Sequence, residues 1–386
     1  MLLSCVAEKH IEEKEYGLPL SQDDDRVRAA ARERVRLLRS IMRERGINGY
    51  VVTRRDDFAW LTCGGENSVM LKNELGTAHI LITMDRQYLL AYTMDADRVL
   101  DEQTPGQGYE AVLANWYDGD PREKAFRLVK GRIASDSGYP GMETLPIGRL
   151  HGGLHGVELD RCRWLAAQTD ALFTALAGSI SAGMTEEGIA RLFHSALVYN
   201  GIAPEVLITG SEGRTEKYYH ALPSGKHAHR HILVHSASSR WGLHANVNRL
   251  MCFGAPDGRT LEYHRAAATV HANVLSVLEP GIKYREIFEL EKRCYAECGF
   301  PDEWKRHYQG GETGYVVGDA ELCFTDGAVP FNKAFDWFLT VGGIQTEELS
   351  MVTENGTELA SMTGSWPRLA VNTRRGEVEV PDIMIV

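Results

Sequence analysis

The chain has 386 residues, 44% of them hydrophobic and 25% charged, with a formal net charge of −11 at pH 7. That length and composition suit two domains of ordinary size and exclude a wholly disordered chain. No long Lys/Arg run offsets the acidity, so nucleic acid is not an expected partner, and no stretch approaches the roughly 18 consecutive apolar residues of a membrane span.

Residues 1–24 are polar and acidic and are expected to form an arm. Its first part, MLLSCVAEKHIEEKEYGLPL, has too short an apolar run for a secretion signal. Seven scattered cysteines form no CxxC pair, which points to a reducing, cytoplasmic setting. Val27, Ala31, Val35, Leu38 and Met42 recur at helical spacing, and Gly46 ends that helix. Strand-like runs follow at 50–53, 79–83 and 88–92, then a helix near 121–131 and a strand at 132–136. This alternation predicts an α/β domain over 25–150. Gly- and Pro-rich sequence from Gly138 to Gly156 connects it to a second domain, taken as 155–386.

The second domain contains a repeat. LAGSISAGMTEEGIARLFHSALVYNGI (176–202) aligns with VLSVLEPGIKYREIFELEKRCYAECGF (274–300) at a constant offset of 98. Gly183 meets Gly281, Ile189 meets Ile287, Leu192 meets Leu290 and Gly201 meets Gly299. Each copy reads as helix, glycine turn, helix, glycine C-cap, the last because that position usually takes a positive φ. Two copies predict a pseudo-two-fold domain with a site where its halves meet. The C-terminal RRGEVEVPDIMIV alternates as a strand that extends the fold or pairs with a second subunit.

Polar residues of catalytic type gather in this domain. KHAHRHILVH (226–235) carries His227, His229, His231 and His235. Alternation on a strand would put all four on one face, but residues 222–230 follow a Pro-Ser-Gly turn and read better as loop, and His235 has the strongest functional case because it fills a former ligand position. His244 lies two before Asn246, on the same face of an extended segment. Cys294 and Cys298 share a helix face, where a reduced core pair is the simpler reading. Trp60, Trp116, Trp241 and Trp337 read as buried packing.

Several ordered segments together resemble the pita-bread superfamily: methionine aminopeptidase, prolidase, aminopeptidase P and creatinase. They are YYHALPSGK (218–226), ILVHSASSRWGLHANVNRLMCFG (232–254), HYQGGETGY (307–315) and GGIQTEELSMVTENG (342–356). RDDFAWLTCGGENSV (55–69) resembles a segment of the N-terminal domain of the larger members. The resemblance implies an α/β (α+β) fold, a creatinase-like N-terminal domain before a pita-bread domain, and a homodimer. Metallopeptidases of this superfamily hold two ions with two Asp, one His and two Glu. Carried over, those positions fall on His235, Asn246, Gly311, Phe338 and Glu347. One ligand of five is kept, so the resemblance is to a degenerate branch, with no dinuclear centre and no cofactor expected.

The resemblance also places an active-site histidine on His220 and a second on His307, while a third falls on Gly318. The expected catalytic set is His220, His307 and Glu347. His235, Asn246, His244, Arg249 and Glu348 are expected to bind substrate. Creatinase, which resembles these enzymes in fold, cleaves a C–N bond without metal, and histidine suits proton transfer near neutral pH. Three functions stay open at this point. One is a metal-independent enzyme acting on the C–N bond of a small amino-acid-like or peptide substrate, by hydrolysis or a biosynthetic lyase, isomerase or cyclisation step. The second is an aminopeptidase-P-like metallohydrolase with a mononuclear site rebuilt from His235, His244, His307 and Glu347. The third is a non-catalytic peptide- or protein-binding relative.

Overall fold

The computed structural model describes residues 21–318 and 324–386. The arm expected over 1–24 lies mostly outside them. The chain divides into two compact units. One runs to Glu158 and takes in Trp241–Leu243; the other comprises Leu159–Arg240 and His244–Val386.

In the first unit the helix Asp25–Arg45 forms as its periodicity predicts. Asp24 caps its first turn by accepting from Arg26 N, and Gly46 ends it at φ 64°. Val27, Ala31, Val35, Leu38 and Met42 are its buried stripe. The strands are β1 (Gly49–Arg54), β2 (Leu75–Thr83), β3 (Gln87–Tyr92), β4 (Glu110–Ala114), β5 (Ile133–Ser135) and β6 (Glu143–Thr144). They form one mixed sheet in the order β4-β3-β2-β1-β5-β6. The helix expected over 121–131 is a 3-10 turn, Pro121–Lys124, followed by one α-turn, Ala125–Leu128. Trp60 is buried as expected, whereas Trp116 is 73% exposed on a loop.

The second unit is built twice. The helices Glu186–Tyr199 and Tyr284–Glu297 have 14 residues each and stand at the offset of 98 read from the sequence. Gly183 and Gly281 take φ 88° and 90°, and Gly201 and Gly299 take 70° and 91°. Ten strands stand among its described residues: β7 (Ala203–Ser211), β8 (His231–Arg240), β9 (Leu243–Cys252), β10 (Gly310–Thr313), β11 (Lys333–Val341), β12 (Ile344–Thr353), β13 (Gly356–Leu359), β14 (Arg368–Thr373), β15 (Gly376–Pro381) and β16 (Met384–Ile385). Two four-stranded sheets result, β16-β9-β8-β7 and β10-β11-β12-β13, with β14-β15 as a separate hairpin. The C-terminal segment thus extends the fold, with β16 running parallel to β9.

Every residue of β9, β11 and β12 is buried, as are all but the last of β8. The helix Tyr284–Glu297 lays Tyr284, Ile287, Cys294 and Tyr295 into a core with Phe335, Leu339 and Val352, at about 2 kcal/mol for each fully buried large apolar side chain. Cys294 is buried and Cys298 half-buried, both as free thiols. No helix among the described residues is long and apolar enough to cross a membrane.

Candidate active site

A cavity of about 300 Å³ opens within the second unit, lined among others by His220, His235, Asn246, His307, Phe338, Gln345 and Glu347. Its floor is made by the two central hairpins. His235 comes from β8, Asn246 from β9 and Glu347 from β12. His235 holds Nδ1 2.6 Å from Glu347 Oε2, and Gln345 Nε2 donates to the same oxygen at 3.0 Å. Asn246 Nδ2 donates to Oδ2 of Asp336, on β11, and the Asp336 and Glu347 carboxyls are themselves hydrogen-bonded.

These floor groups are out of water, and their acidities follow from that. Burial drives Glu347 up to about 8 and lowers His235 to about 4. The His235–Glu347 contact is therefore a neutral hydrogen bond at pH 7, not an ion pair. Asp336 lies well above its ordinary value, first through burial and then through the neighbouring Glu347. Two carboxyls this close in a dry site do not both ionise.

The mouth is histidine. His220 Nε2 and His307 Nε2 are 3.1 Å apart, with the rings edge to face. Desolvation, then the nearby His235, lowers His220 from 6.5. Burial is also the main reason His307 falls to about 4. His307 stacks on Tyr308 and sets its edge against Phe338.

The segment carrying His220 is tied at both ends by Glu186, at the start of the helix Glu186–Tyr199. One oxygen of this fully buried carboxylate accepts from Ser211 N at 2.9 Å and Oγ at 2.7 Å. The other accepts from Ser224 N at 3.1 Å and Oγ at 2.6 Å. On the far side Tyr219 donates to Glu303, which also accepts from Gly342 N at 2.9 Å. Neither acid stands out in the sequence, because the backbone and hydroxyl groups that they hold belong to distant segments.

The structure thus brings together His220, His235, Asn246, His307 and Glu347. The other expected residues lie elsewhere. His244 is absent from the cavity lining and holds Nδ1 2.9 Å from the Gly314 carbonyl. Arg249 and Glu348, expected to bind substrate, are fully buried and paired with each other. Arg249 also binds Asp170 at 2.6 Å and the Ser361 carbonyl at 2.8 Å. Neither residue lines the cavity. The reason is the strand period: Glu348 follows Glu347 and so points to the opposite face. His227 and His229 sit in the loop before β8, stacked at 6.2 Å, and only His231 and His235 are on the strand.

Asp336 is the residue that the sequence reading missed. The carry-over put an acid's position on Phe338, which pairs directly with Glu347 in the ladder. Two residues earlier on the same face stands Asp336. A signal for it existed in the duplication. Extended from the helices to the hairpins, the repeat shifts to an offset of 101. That interval maps His235 onto Asp336 and Asn246 onto Glu347, and the turn Trp241-Gly242 onto Gly342-Gly343. All four turn residues have positive φ, between 56° and 82°.

The metal ligation of the resemblance can be tested against this floor. Two of the five positions, Gly311 and Phe338, offer no side-chain donor. Each carboxyl has one oxygen already engaged by a protein donor. Among the described residues no group of three His, Cys, Asp or Glu is placed to hold a metal ion. The donor set does not fit a two-ion centre.

Fold and site define a pita-bread, peptidase-type α/β protein. The chain belongs to Metallopeptidase family M24, whose profile matches residues 160–366, more than half its length. Among solved structures it is similar to Xaa-Pro dipeptidase from Bacillus anthracis, at 16% identity and TM-score 0.73, covering 92% of this chain and 100% of that one. The prolidase from Pyrococcus horikoshii OT3 gives 14% identity and TM-score 0.71, covering 86% and 99%. The N-terminal domain of FACT complex subunit SPT16 from Cicer arietinum (chickpea) gives 11% identity and TM-score 0.64, covering 88% and 96%. At such identities the likeness is one of fold. No curated protein matches the chain.

Proposed function

We propose that this chain is an acid–base enzyme that acts on the C–N bond of a small amino-acid-like or peptide substrate without a metal pair. One observation carries the reading. The His220–His307 pair and the buried Glu347 line the same cavity. Lowered pKa values leave the histidines neutral at pH 7, while Glu347, pushed up to about 8, keeps its proton. A base and an acid in complementary states in one cavity can move protons at the two ends of a scissile bond.

In the hydrolytic form His220 takes a proton from water, whose hydroxyl joins the acyl or amidine carbon. Glu347 gives its proton to the departing nitrogen and the C–N bond breaks. Solvent exchange then returns both groups to their starting states. His307 holds the Nε2 side of His220, and His235 with Gln345 orients Glu347. A rebuilt mononuclear metal site has less support, since His244 is turned to Gly314 and His307 to His220.

The test is amine release from a panel of dipeptides, amino-acid amides and amidines, with and without chelator. His220→Ala and Glu347→Gln are each expected to lose about 100-fold in rate, and chelator to change nothing. Full turnover by either variant, or a requirement for added manganese or zinc, would overturn the assignment. Binding of a peptide without turnover of any substrate would favour the non-catalytic reading.

A further inference from the structure

Both ring nitrogens of His307 are engaged. Nδ1 meets the carbonyl oxygen of Tyr308, and Nε2 meets Nε2 of His220 at 3.1 Å. A carbonyl oxygen only accepts, so the first contact puts a proton on Nδ1. His307 is neutral at pH 7, mainly through burial, and a neutral imidazole carries one N–H. Its Nε2 is then a bare acceptor, and the proton between the two rings belongs to His220. The reverse assignment would set lone pairs of Nδ1 and of the Tyr308 oxygen against each other with no proton between them. The described hydrogen bonds of the His220 ring use Nε2 alone. With Nε2 protonated, neutral His220 is left with a bare Nδ1, so one backbone carbonyl fixes the proton two rings away. The His307 ring is itself held. It stacks on Tyr308 at 4.5 Å and on Tyr219 at 5.7 Å, each 21° from parallel, and meets Phe338 edge-on. Tyr219 is anchored in turn by donating to Glu303 and by the Arg306 guanidinium 4.8 Å over its ring.

We propose that His220 works as a base through Nδ1, and that His307 is a positioning residue whose Nε2 holds His220 in the Nε2–H tautomer. The use of His220 as the base rests on the acid–base reading above; its tautomer does not. Nδ1 of His220 takes a proton from the attacking water, and the water oxygen keeps the electron pair that forms the new bond to carbon. His220 then carries a proton on each nitrogen and one positive charge. Its Nε2–H bond to His307 strengthens as the donor becomes charged, so His307 steadies the charged base without taking its proton. Passage onward is closed. A proton accepted by His307 Nε2 would require Nδ1 to give up its own, and the amide carbonyl of Tyr308 is too weak a base to receive it. The proton therefore leaves by Nδ1, the way it came. His307 thereby passes from the expected catalytic set to a supporting role.

The experiment is nitrogen NMR at pH 8 of the full-length chain carrying isotope-labelled histidine, with the His220 signals assigned by their loss in His220→Ala. His220 is expected as a single tautomer, protonated on Nε2 and bare on Nδ1. Two variants separate the hydrogen bond from the packing. His307→Phe keeps a ring against the tyrosines but removes the acceptor, and His220 should then give the averaged signals of both tautomers. His307→Gln offers an amide oxygen in place of Nε2 and should restore the single form. On a substrate that the site cleaves, kcat should fall about tenfold in His307→Phe with KM unchanged, and recover in His307→Gln. Circular dichroism checks that both variants fold. A proton on Nδ1 of His220 in the parent chain overturns the proposal, as does a single tautomer that persists in His307→Phe. Because the spectra need no substrate, the Nε2–H tautomer in a protein that cleaves no amide would leave the tautomer assignment standing and remove the proposed reaction. Amide cleavage by a chain whose His220 carries its proton on Nδ1 would do the reverse.

Discussion

His235 holds its Nδ1 2.6 Å from Oε2 of Glu347, and at neutral pH neither side chain is charged. That neutral pair sets Glu347 up as a proton donor rather than as a counter-ion. The rate on any substrate that this site cleaves should therefore follow a bell-shaped pH profile. The acid limb is the protonation of His220, below 6.5, and the alkaline limb is the loss of the Glu347 proton near 8. Steady-state rates between pH 4.5 and 9.5 check this. A rate still climbing at pH 9.5 would show that Glu347 is not the acid.

Glu186 touches no part of the cavity lining, yet it clamps both ends of the segment that carries His220. Glu186→Ala should lower kcat by about tenfold with little change in KM, as misplacing a reacting group does. Loss of thermal stability alone, with kcat intact in the folded variant, would make Glu186 purely structural.

Arg249 is a stability residue on this geometry. Its guanidinium neutralises Asp170 and Glu348 where none of the three reaches water. Arg249→Met leaves two buried carboxyls facing each other and should cost about 3–5 kcal/mol of unfolding free energy. Urea titration measures it. The rate per folded molecule on any substrate that this site cleaves should stay within twofold of the parent chain, an outcome that a substrate-binding Arg249 would not give.

His271 is fully buried on the helix Gly258–Val277 with neither ring nitrogen hydrogen-bonded, and burial lowers it to about 3. The unfolded chain takes up a proton there near 6.5, whereas the folded chain does not until about 3. Between those values the unfolded state binds more protons, so stability rises with pH and is lost as pH falls. The loss approaches about 4 kcal/mol by the lower limit. His271→Leu should remove that part of the acid sensitivity and raise Tm at pH 5. Melting curves at pH 5 and pH 8 decide it; an unchanged difference between the two pH values would contradict the assignment.

The sequence by itself determined the repeat and its grammar. Helices at an offset of 98 and glycines forced to positive φ are local facts, set by spacing and by the lack of a Cβ. It also put His220, His235, Asn246, His307 and Glu347 into one site, because ordered segments carry them. What it left undecided was which face of each central strand meets the cavity. Strand alternation separates two faces, but it names the inner one only when the other is wet. In β9, β11 and β12 both faces are buried, so Glu347 and Glu348 read as equivalent neighbours. Tertiary packing gives one to the cavity and turns the other onto Arg249. The same packing brings Asp336 to Asn246, ninety residues away.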